Sequence, residues 1–263
     1  MIVELINTGS ELLLGRVLNT NQQWLCRQLA ELGCVVSRQV AVPDTGPDIQ
    51  GAVRESLGRA DLVITTGGLG PTSDDLTRDL IARLLGRRLR EDPRVLGAIQ
   101  AYFVKRQRPM PESNRVQALV PEGARVLDNA FGTAPGLALE VRPNPYRAGG
   151  EGSWLVMLPG PPRELRPMFT DQVVPLLRGW LPPEARFACH TLRTTGLGES
   201  MVQERIAPAL ESLVARGLEV GYCARPGQVD VRLSARGPQG EALVVEGERI
   251  VRGLIGDYCY GTE

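Results

Sequence analysis

The alternation of short apolar runs with amphipathic helical patterns constrains the fold of this chain more than any other feature. Segments 2–6, 34–42 and 61–66 have the length and apolar content of strands, and leucines recur every three or four residues in segments 19–33 and 76–86. Strands that alternate with helices of about 10–15 residues form parallel sheets covered by helices on both faces. The sequence therefore predicts an α/β domain with a mostly parallel sheet.

The pattern changes at residues 179–183, a Gly-Trp-Leu-Pro-Pro stretch with the composition of a linker. Five later segments have the periodicity of a strand, a helix, two strands and a helix: 187–195, 199–213, 218–223, 229–235 and 241–254. Segment 229–235 alternates strictly between apolar and polar residues, which is typical of an antiparallel sheet with one solvated face. We predict a first domain over residues 1–178 and a smaller α+β domain over residues 184–257.

The composition is that of a soluble globular protein, with 43% hydrophobic and 23% charged residues in 263. Thirty basic residues balance thirty acidic ones, so we expect neither nucleic acid nor a membrane as a partner. No apolar run reaches the length of about 18 residues that a membrane span requires, and the N-terminus lacks the features of a signal peptide. Five cysteines without a CxxC pair indicate neither a zinc site nor a disulfide framework. We expect a cytoplasmic protein.

The glycine-rich segment GGLGPTSDD, residues 67–75, follows a predicted buried strand and precedes a predicted helix. Ligands of doubly wound sheets bind at this edge, and glycines let the backbone N–H groups approach a phosphate. A structural alternative has comparable weight, because Ser73 could cap the helix while Asp74 and Asp75 offset its macrodipole.

Two further carboxylates follow neighbouring predicted strands. Glu11 comes after the first strand and Asp44 after the second, so both should share the sheet edge with Asp75. A divalent cation between these acids and a phosphate would turn repulsion into a bridge. Without a metal, Asp75 could still act as a base or orient water. The glycine-rich segment 67–75 and these carboxylates thus indicate a candidate anion site.

Four motifs, in this order, resemble the CinA family, the competence-damage-inducible protein group: TGSELLLGRVLNTN, TTGGLGPTSDDLT, FGTAPG and LPGPPREL. In the second half, TTGLGES resembles the KH-like module of CinA proteins. The resemblance spans nearly the whole chain. It implies the three-layer fold of molybdopterin-binding domains such as MoaB, MogA and MoeA, followed by a KH-like α+β domain, and it implies homo-oligomerisation.

The resemblance also implies an activity, the metal-dependent hydrolysis of ADP-ribose to AMP and ribose 5-phosphate. Asp75 matches the position of a catalytically important aspartate in related molybdopterin enzymes, and Asp44 would serve with it. Glu11 and Asp44 match positions that bind Mg²⁺, or another divalent transition metal, in MoeA-like relatives. The residues implied around the phosphates are Thr66, Gly67, Gly68, Gly70 and Ser73 on one side and Gly132, Thr133, Ala134 and Pro135 on the other.

Two other functions remain open at this stage. The same fold and loop serve molybdopterin binding or adenylylation, and the chain could instead be a non-catalytic nucleotide-binding regulatory module. CinA proteins often continue into an amidase domain that acts on nicotinamide mononucleotide. This sequence ends at Glu263, where that domain would begin, so we assign no deamidation to it.

Two remaining features are interpreted as structural. His190 is the only histidine, and its neighbour Cys189 should face the opposite side of a strand, so the two form no metal pair. The basic run KRQRP, residues 105–109, is interpreted as a solvated helix end in preference to a phosphate contact.

Overall fold

The computed structural model describes residues 1–34, 36–180 and 187–262, and the chain divides into two compact units. The first unit consists of Met1–Gln28 and Cys34–Arg178, and the second of Leu29–Gly33 and Gly179–Glu263. Most of the predicted linker and the predicted start of the second domain at residue 184 lie outside the described residues.

The first 180 residues contain eight strands and seven α-helices within the described ranges. In chain order they are β1 (Val3–Thr8), α1 (Ser10–Leu13), α2 (Thr20–Glu31), β2 (Val36–Val42), α3 (Gly46–Leu57), β3 (Leu62–Thr66), α4 (Thr77–Leu84), β4 (Leu89–Glu91), α5 (Pro93–Lys105), β5 (Leu119–Pro121), β6 (Arg125–Leu127), β7 (Gly136–Val141), β8 (Ser153–Leu158), α6 (Pro162–Met168) and α7 (Val174–Trp180). A π-helical segment, Phe169–Val173, joins α6 to α7.

Six of these strands form one sheet in the order β2-β1-β3-β8-β7-β6. The pairs β1–β2, β1–β3 and β3–β8 are parallel, whereas β7 is antiparallel to both β8 and β6. Strand β3 therefore lies inside the sheet, as its apolar sequence predicts. The prediction of a mostly parallel α/β sheet is confirmed.

Both faces of this sheet are buried, which makes the domain three-layered. Every residue of β1 and β3 is buried, including Leu5 and Ile64. Ile6 and Val63 share one hydrophobic core with apolar residues of α3, α4 and α5. Because successive strand residues point to opposite faces, Leu5 and Ile64 face the other layer.

Helix α5 begins directly after a capping residue. Asp92 accepts hydrogen bonds from the N–H groups of Arg94 (2.8 Å) and Val95, so α5 begins at Pro93. The sequence of segment 91–108 predicts a helix that begins at Glu91, with Pro93 in its first turn, but Glu91 belongs to β4, which pairs with β5.

The second unit contains β9 (Phe187–Thr195), α8 (Glu199–Ala215), β10 (Leu218–Arg225), β11 (Gln228–Arg236), α9 (Gly240–Ile255) and β12 (Cys259–Thr262). Its antiparallel sheet has the order β10-β11-β9-β12. The predicted order of elements is confirmed, with β12 as an addition. The prediction of one solvated face is wrong for two residues: Ser234 is buried, and Asp230 is buried in an ion pair with Arg225 (3.1 Å). Within the described residues, no helix is long and apolar enough to cross a membrane.

Candidate ligand-binding cleft

A cleft of about 460 Å³ lies at the carboxyl ends of the four parallel strands of the first unit. Its lining includes Thr8 at the end of β1, Asp44 after β2, Gly67 after β3 and Pro159 after β8. The chain passes from β1 to β2 on one side and then returns to β3 on the other, so the strand order reverses at β1. This is the switch point at which doubly wound sheets bind ligands.

The glycines of the loop after β3 are required by close packing. Gly67 and Gly68 have φ values of 97° and 66°, a region that favours glycine. A Cβ on Gly67 would lie 2.6 Å from the carbonyl oxygen of Thr8. A Cβ on Gly68 would overlap the hydroxyl of Thr77, and one on Gly70 would overlap the carboxylate of Asp75. At these three glycines the loop backbone packs so closely on neighbouring atoms that no side chain fits.

This packing leaves backbone donors without partners in the cleft. The N–H groups of Gly68, Leu69 and Gly70 donate to no acceptor among the described residues, although all three residues line the cleft. A backbone N–H group needs an acceptor, so these three groups are available to water or to a ligand. Consecutive free N–H groups in a glycine turn form an anion-binding concavity.

Asp75 closes a tight turn before the following helix. Its Oδ2 accepts hydrogen bonds from the N–H of Thr72 (2.9 Å) and from the Thr72 hydroxyl. Helix α4 begins at Thr77, with Leu76 at the N-cap position and no side-chain cap. The structural alternative, in which Ser73 caps the helix and Asp74 and Asp75 lie in its first turn, is therefore wrong.

Glu11 and Asp44 both line the cleft, and helix α1 carries Glu11 beside Ser10, which bonds to Asp44. The Asp44 Oδ2 accepts a hydrogen bond from the N–H of Ser10 (2.8 Å), and the Ser10 hydroxyl accepts one from the N–H of Asp44 (3.3 Å). The Glu11 carboxylate folds back on Gly9, where an added Cβ would lie 2.6 Å from Oε1. The predicted convergence of acids from neighbouring strand ends is present.

The opposite wall is a loop organised by Asn129. Its Nδ2 donates to the carbonyl of Ala134 (2.7 Å) and to Oε2 of Glu164 (2.8 Å), while its Oδ1 accepts from the N–H of Phe131 (3.0 Å). Gly132 packs directly on Glu164, because a Cβ there would overlap the carboxylate. Glu164 is 7% exposed. Asn129 and Glu164 therefore fix the loop that faces the glycine turn.

The charge of the cleft is strongly unbalanced. Among the described residues, five carboxylates and one guanidinium line it: Glu11, Asp44, Asp74, Asp75, Glu164 and Arg163. Carboxylates repel a bound phosphate, so a ligand with several phosphate charges requires a cation in this site.

The cleft collects most of the predicted site residues. Those that line it are Glu11, Asp44, Gly67, Gly68, Gly70, Asp75, Gly132, Thr133 and Ala134. Thr66, Ser73 and Pro135 do not line it; the Thr66 hydroxyl donates instead to the buried Asn7 (3.0 Å). The predicted roles of all these residues stay predictions.

Sequence reasoning missed Asn129, Glu164 and Tyr102. Glu164 lies within the motif LPGPPREL, which contributes to the family resemblance but supplied no predicted site residue. Asn129 and Glu164 are 35 residues apart in the sequence, so no local sequence pattern predicts their contact. Tyr102 lies on α5 and reaches the cleft from outside the parallel strands.

Comparison with known proteins assigns a class to each unit. Residues 4–179 match the family described as a probable molybdopterin binding domain, and residues 189–261 match the damage-inducible protein CinA KH domain. The fold and the cleft thus define a molybdopterin-binding-type α/β domain followed by a CinA-type KH domain.

The whole chain belongs to the CinA family. A CinA-like protein from Akkermansia muciniphila is 45% identical over 256 residues, and one from Kosmotoga olearia is 40% identical over 265 residues. These matches cover 97% and 100% of this chain but only 58% and 61% of the relatives. The structure of CinA from Thermoplasma acidophilum, a protein of unknown function, is 32% identical with a TM-score of 0.58, covering 66% of this chain and 97% of that one. The chain therefore spans about three fifths of the length of the relatives from Akkermansia muciniphila and Kosmotoga olearia.

Proposed function

We propose that the cleft of the first unit binds a small molecule through its phosphate, with molybdopterin, a phosphorylated pterin, as the first candidate. The match of residues 4–179 to a molybdopterin-binding family supports this candidate. The position of the cleft at the switch point of the sheet agrees with it.

One observation carries the proposal: the cleft is lined by two sets of residues whose backbone N–H groups have no acceptor within the described part of the chain. The first set belongs to Gly68, Leu69 and Gly70, and the second to Gly132, Thr133 and Ala134 on the opposite wall. None of the six donates a hydrogen bond to another described residue. Phosphate oxygens are strong acceptors, and backbone N–H groups bind them without adding charge or conformational freedom.

A second candidate is the metal-dependent hydrolysis of ADP-ribose, or of a similar dinucleoside diphosphate, to AMP and ribose 5-phosphate. The five carboxylates of the cleft favour it, since simple binding of a phosphate would be served better by cations. Under this proposal the protein is a hydrolase that acts on a phosphoanhydride. Asp75 would orient the attacking water, with Asp44 beside the metal.

The residues present fit a hard divalent cation such as Mg²⁺. Oδ1 of Asp44 and Oδ1 of Asp75 accept no hydrogen bond within the described residues, and the Glu11 carboxylate accepts none. Within the same residues, no group of three or more acidic, histidine or cysteine side chains is arranged to hold a metal. Mg²⁺ is ordinarily held by one or two carboxylates together with waters and substrate phosphates. Glu11 and Asp44 would hold it here, and the bound ion would neutralise phosphate charge and activate water.

The decisive experiment supplies both ligands to the purified chain. We expect molybdopterin, added with Mg²⁺, to be retained after desalting, and its retention to fall in Gly68→Ala. Incubation with ADP-ribose and Mg²⁺, Mn²⁺ or Co²⁺ in turn should release AMP if the second candidate holds. Binding without turnover would identify a non-catalytic binding module. Failure of both ligands to bind with any of the metals would contradict the proposal.

A further inference from the structure

A second pocket of about 480 Å³ adjoins the cleft of the first unit. One side is formed by Ala98, Ala101, Tyr102 and Lys105 of α5 and by Arg106 directly after it, and the other side by Asn129 and Ala130. Tyr102 lines both the pocket and the cleft. The Asn129-organised loop also separates the two spaces, because its residues 129–130 face the pocket and its residues 132–134 face the cleft.

The chemistry of the pocket differs from that of the cleft. Lys105 and Arg106 are its charged residues, and neither forms an ion pair within the described part of the chain. The alanines leave an apolar floor. A ligand group that enters here meets positive charge and a flat apolar surface, whereas phosphates in the cleft meet carboxylates.

Arg106 and Tyr102 form a stacked pair. The guanidinium carbon of Arg106 lies 3.5 Å from the centre of the Tyr102 ring, and its Nη1 donates to the carbonyl of Tyr102 (3.3 Å). Arg106 is exposed and lines the pocket. A guanidinium held flat on an aromatic ring offers a plane on which a heterocycle can stack.

From this arrangement we infer that the pocket binds the planar heterocycle of the ligand whose phosphates lie in the cleft, stacked on the guanidinium of Arg106. The inference rests on the proposed function, and it applies to both candidates, because adenine and pterin share this chemistry. It assigns Arg106 a role in substrate selection. Under this inference Arg106, the second residue of the basic run 105–109 that the sequence indicates is a solvated helix end, contacts the ligand.

The test uses calorimetric titrations with saturating Mg²⁺ to compare ligands that carry a planar heterocycle with ligands that do not. Inorganic pyrophosphate and ribose 5-phosphate lack a planar aromatic heterocycle, whereas ADP-ribose carries adenine and molybdopterin carries pterin. Arg106→Lys keeps the charge at the end of α5 but removes the plane. Lys105→Gln removes the neighbouring charge and keeps the plane, which makes it the matched control.

We expect Arg106→Lys to weaken a ring-bearing ligand about 5- to 100-fold, the range for loss of one stacked base, and to leave pyrophosphate binding unchanged. Lys105→Gln should change affinity less than about threefold, the scale of one exposed charge. The ligand that depends on Arg106 identifies the heterocycle. Equal weakening of pyrophosphate and ADP-ribose, or no effect of Arg106→Lys on any ligand that binds, would overturn the inference while leaving phosphate binding intact. If no ligand binds the unchanged protein, the proposed function itself fails, and this inference with it.

Discussion

Gly68 and Gly86 adopt nearly the same left-handed backbone, with φ values of 66° and 63°, but they have different surroundings. A Cβ on Gly68 would overlap the Thr77 hydroxyl, whereas a Cβ on Gly86 would meet nothing within 4 Å. Alanine substitutions at these two positions therefore distinguish the free-energy cost of the left-handed backbone from the cost of a steric overlap beside the cleft.

Gly68→Ala should reduce the free energy of unfolding by about 2–3 kcal/mol, because backbone strain adds to the displacement of Thr77. Gly86→Ala should cost about 1 kcal/mol from strain alone. Chemical denaturation gives both values, and ligand titration should show that only Gly68→Ala reduces affinity for the ligand. Equal effects of the two substitutions on affinity would mean that the loop does not contact the ligand.

Asp75 offers a second prediction at the scale of single residues, for the hydrolytic candidate. Asp75→Asn keeps an oxygen that can accept from Thr72, so the turn should persist, but the negative charge is lost. We expect ADP-ribose turnover to fall about 10²- to 10⁴-fold with little change in melting temperature.

Asp74→Asn is the internal control, since Asp74 is a neighbouring acid in the same turn and also lines the cleft. Its loss of turnover should be clearly smaller. Small and equal losses from the two substitutions, measured with saturating metal, would show that Asp75 serves the turn and not the chemistry.

At the scale of elements, Asp61 joins the beginnings of β1 and β3. Its Oδ2 accepts from the N–H of Ile2 (2.7 Å), and its Oδ1 accepts from Arg147 (2.8 Å). Burial would raise the pKa of Asp61, but these two hydrogen bonds and the Arg147 charge hold the pKa below its ordinary value. A carboxylate with a lowered pKa stabilises the fold above its unfolded-state pKa, and this stabilisation disappears as the pH falls through its folded-state pKa.

Asp61→Asn should therefore reduce the free energy of unfolding by about 1 kcal/mol at neutral pH, a value that allows for the partial exposure of the pair. The difference from the unchanged protein should decline as the pH falls below about 4, the ordinary pKa of an aspartate, and disappear once the pH is below the lowered folded-state pKa of Asp61. Denaturation series at several pH values measure this. Asp171→Asn, at an exposed position, is the control and should change little. A difference that persists undiminished at low pH would exclude the proposed cause.

Element by element, the sequence predicts what depends on local periodicity. The strands β1, β3, β7 and β8 and the helices α2 to α5 follow from apolar spacing and from glycine, proline and capping residues. The short strands β4, β5, β6 and β12 have three or four residues each and exist because a distant partner pairs with them, so no local pattern marks them.

The sequence likewise predicts those parts of the site that depend on local patterns. Glu11, Asp44 and the glycine loop follow directly from the rule that ligands bind at the carboxyl ends of parallel strands. Asn129 and Glu164 become neighbours only through packing of the chain. The alternative in which Ser73 caps the helix is wrong because Thr72 and Asp75 form a turn and the helix starts beyond it, at Thr77.

At the scale of the whole molecule, we expect the chain to self-associate, as its family resemblance implies. The segment directly after Glu11 exposes four large apolar side chains, between 52% and 83% of each: Leu13, Leu14, Val17 and Leu18. Clustered exposed apolar residues mark association surfaces.

Light scattering at micromolar concentration should give a mass above that of one chain, and Leu14→Asp should lower it. Val104→Asp is the control, because Val104 is 74% exposed but lies on α5, away from this segment in the sequence. A monomer for the unchanged protein would contradict the expectation.

A crystal structure of the chain grown with ADP-ribose and Mg²⁺ tests most directly the claim that the free backbone amides of the first unit hold phosphate. We predict phosphate oxygens within about 3 Å of the backbone nitrogens of Gly68, Leu69 and Gly70, with the metal between the diphosphate and the carboxylates of Glu11 and Asp44. A diphosphate bound in the second unit, or one in the cleft whose oxygens contact none of these three nitrogens, would contradict the claim.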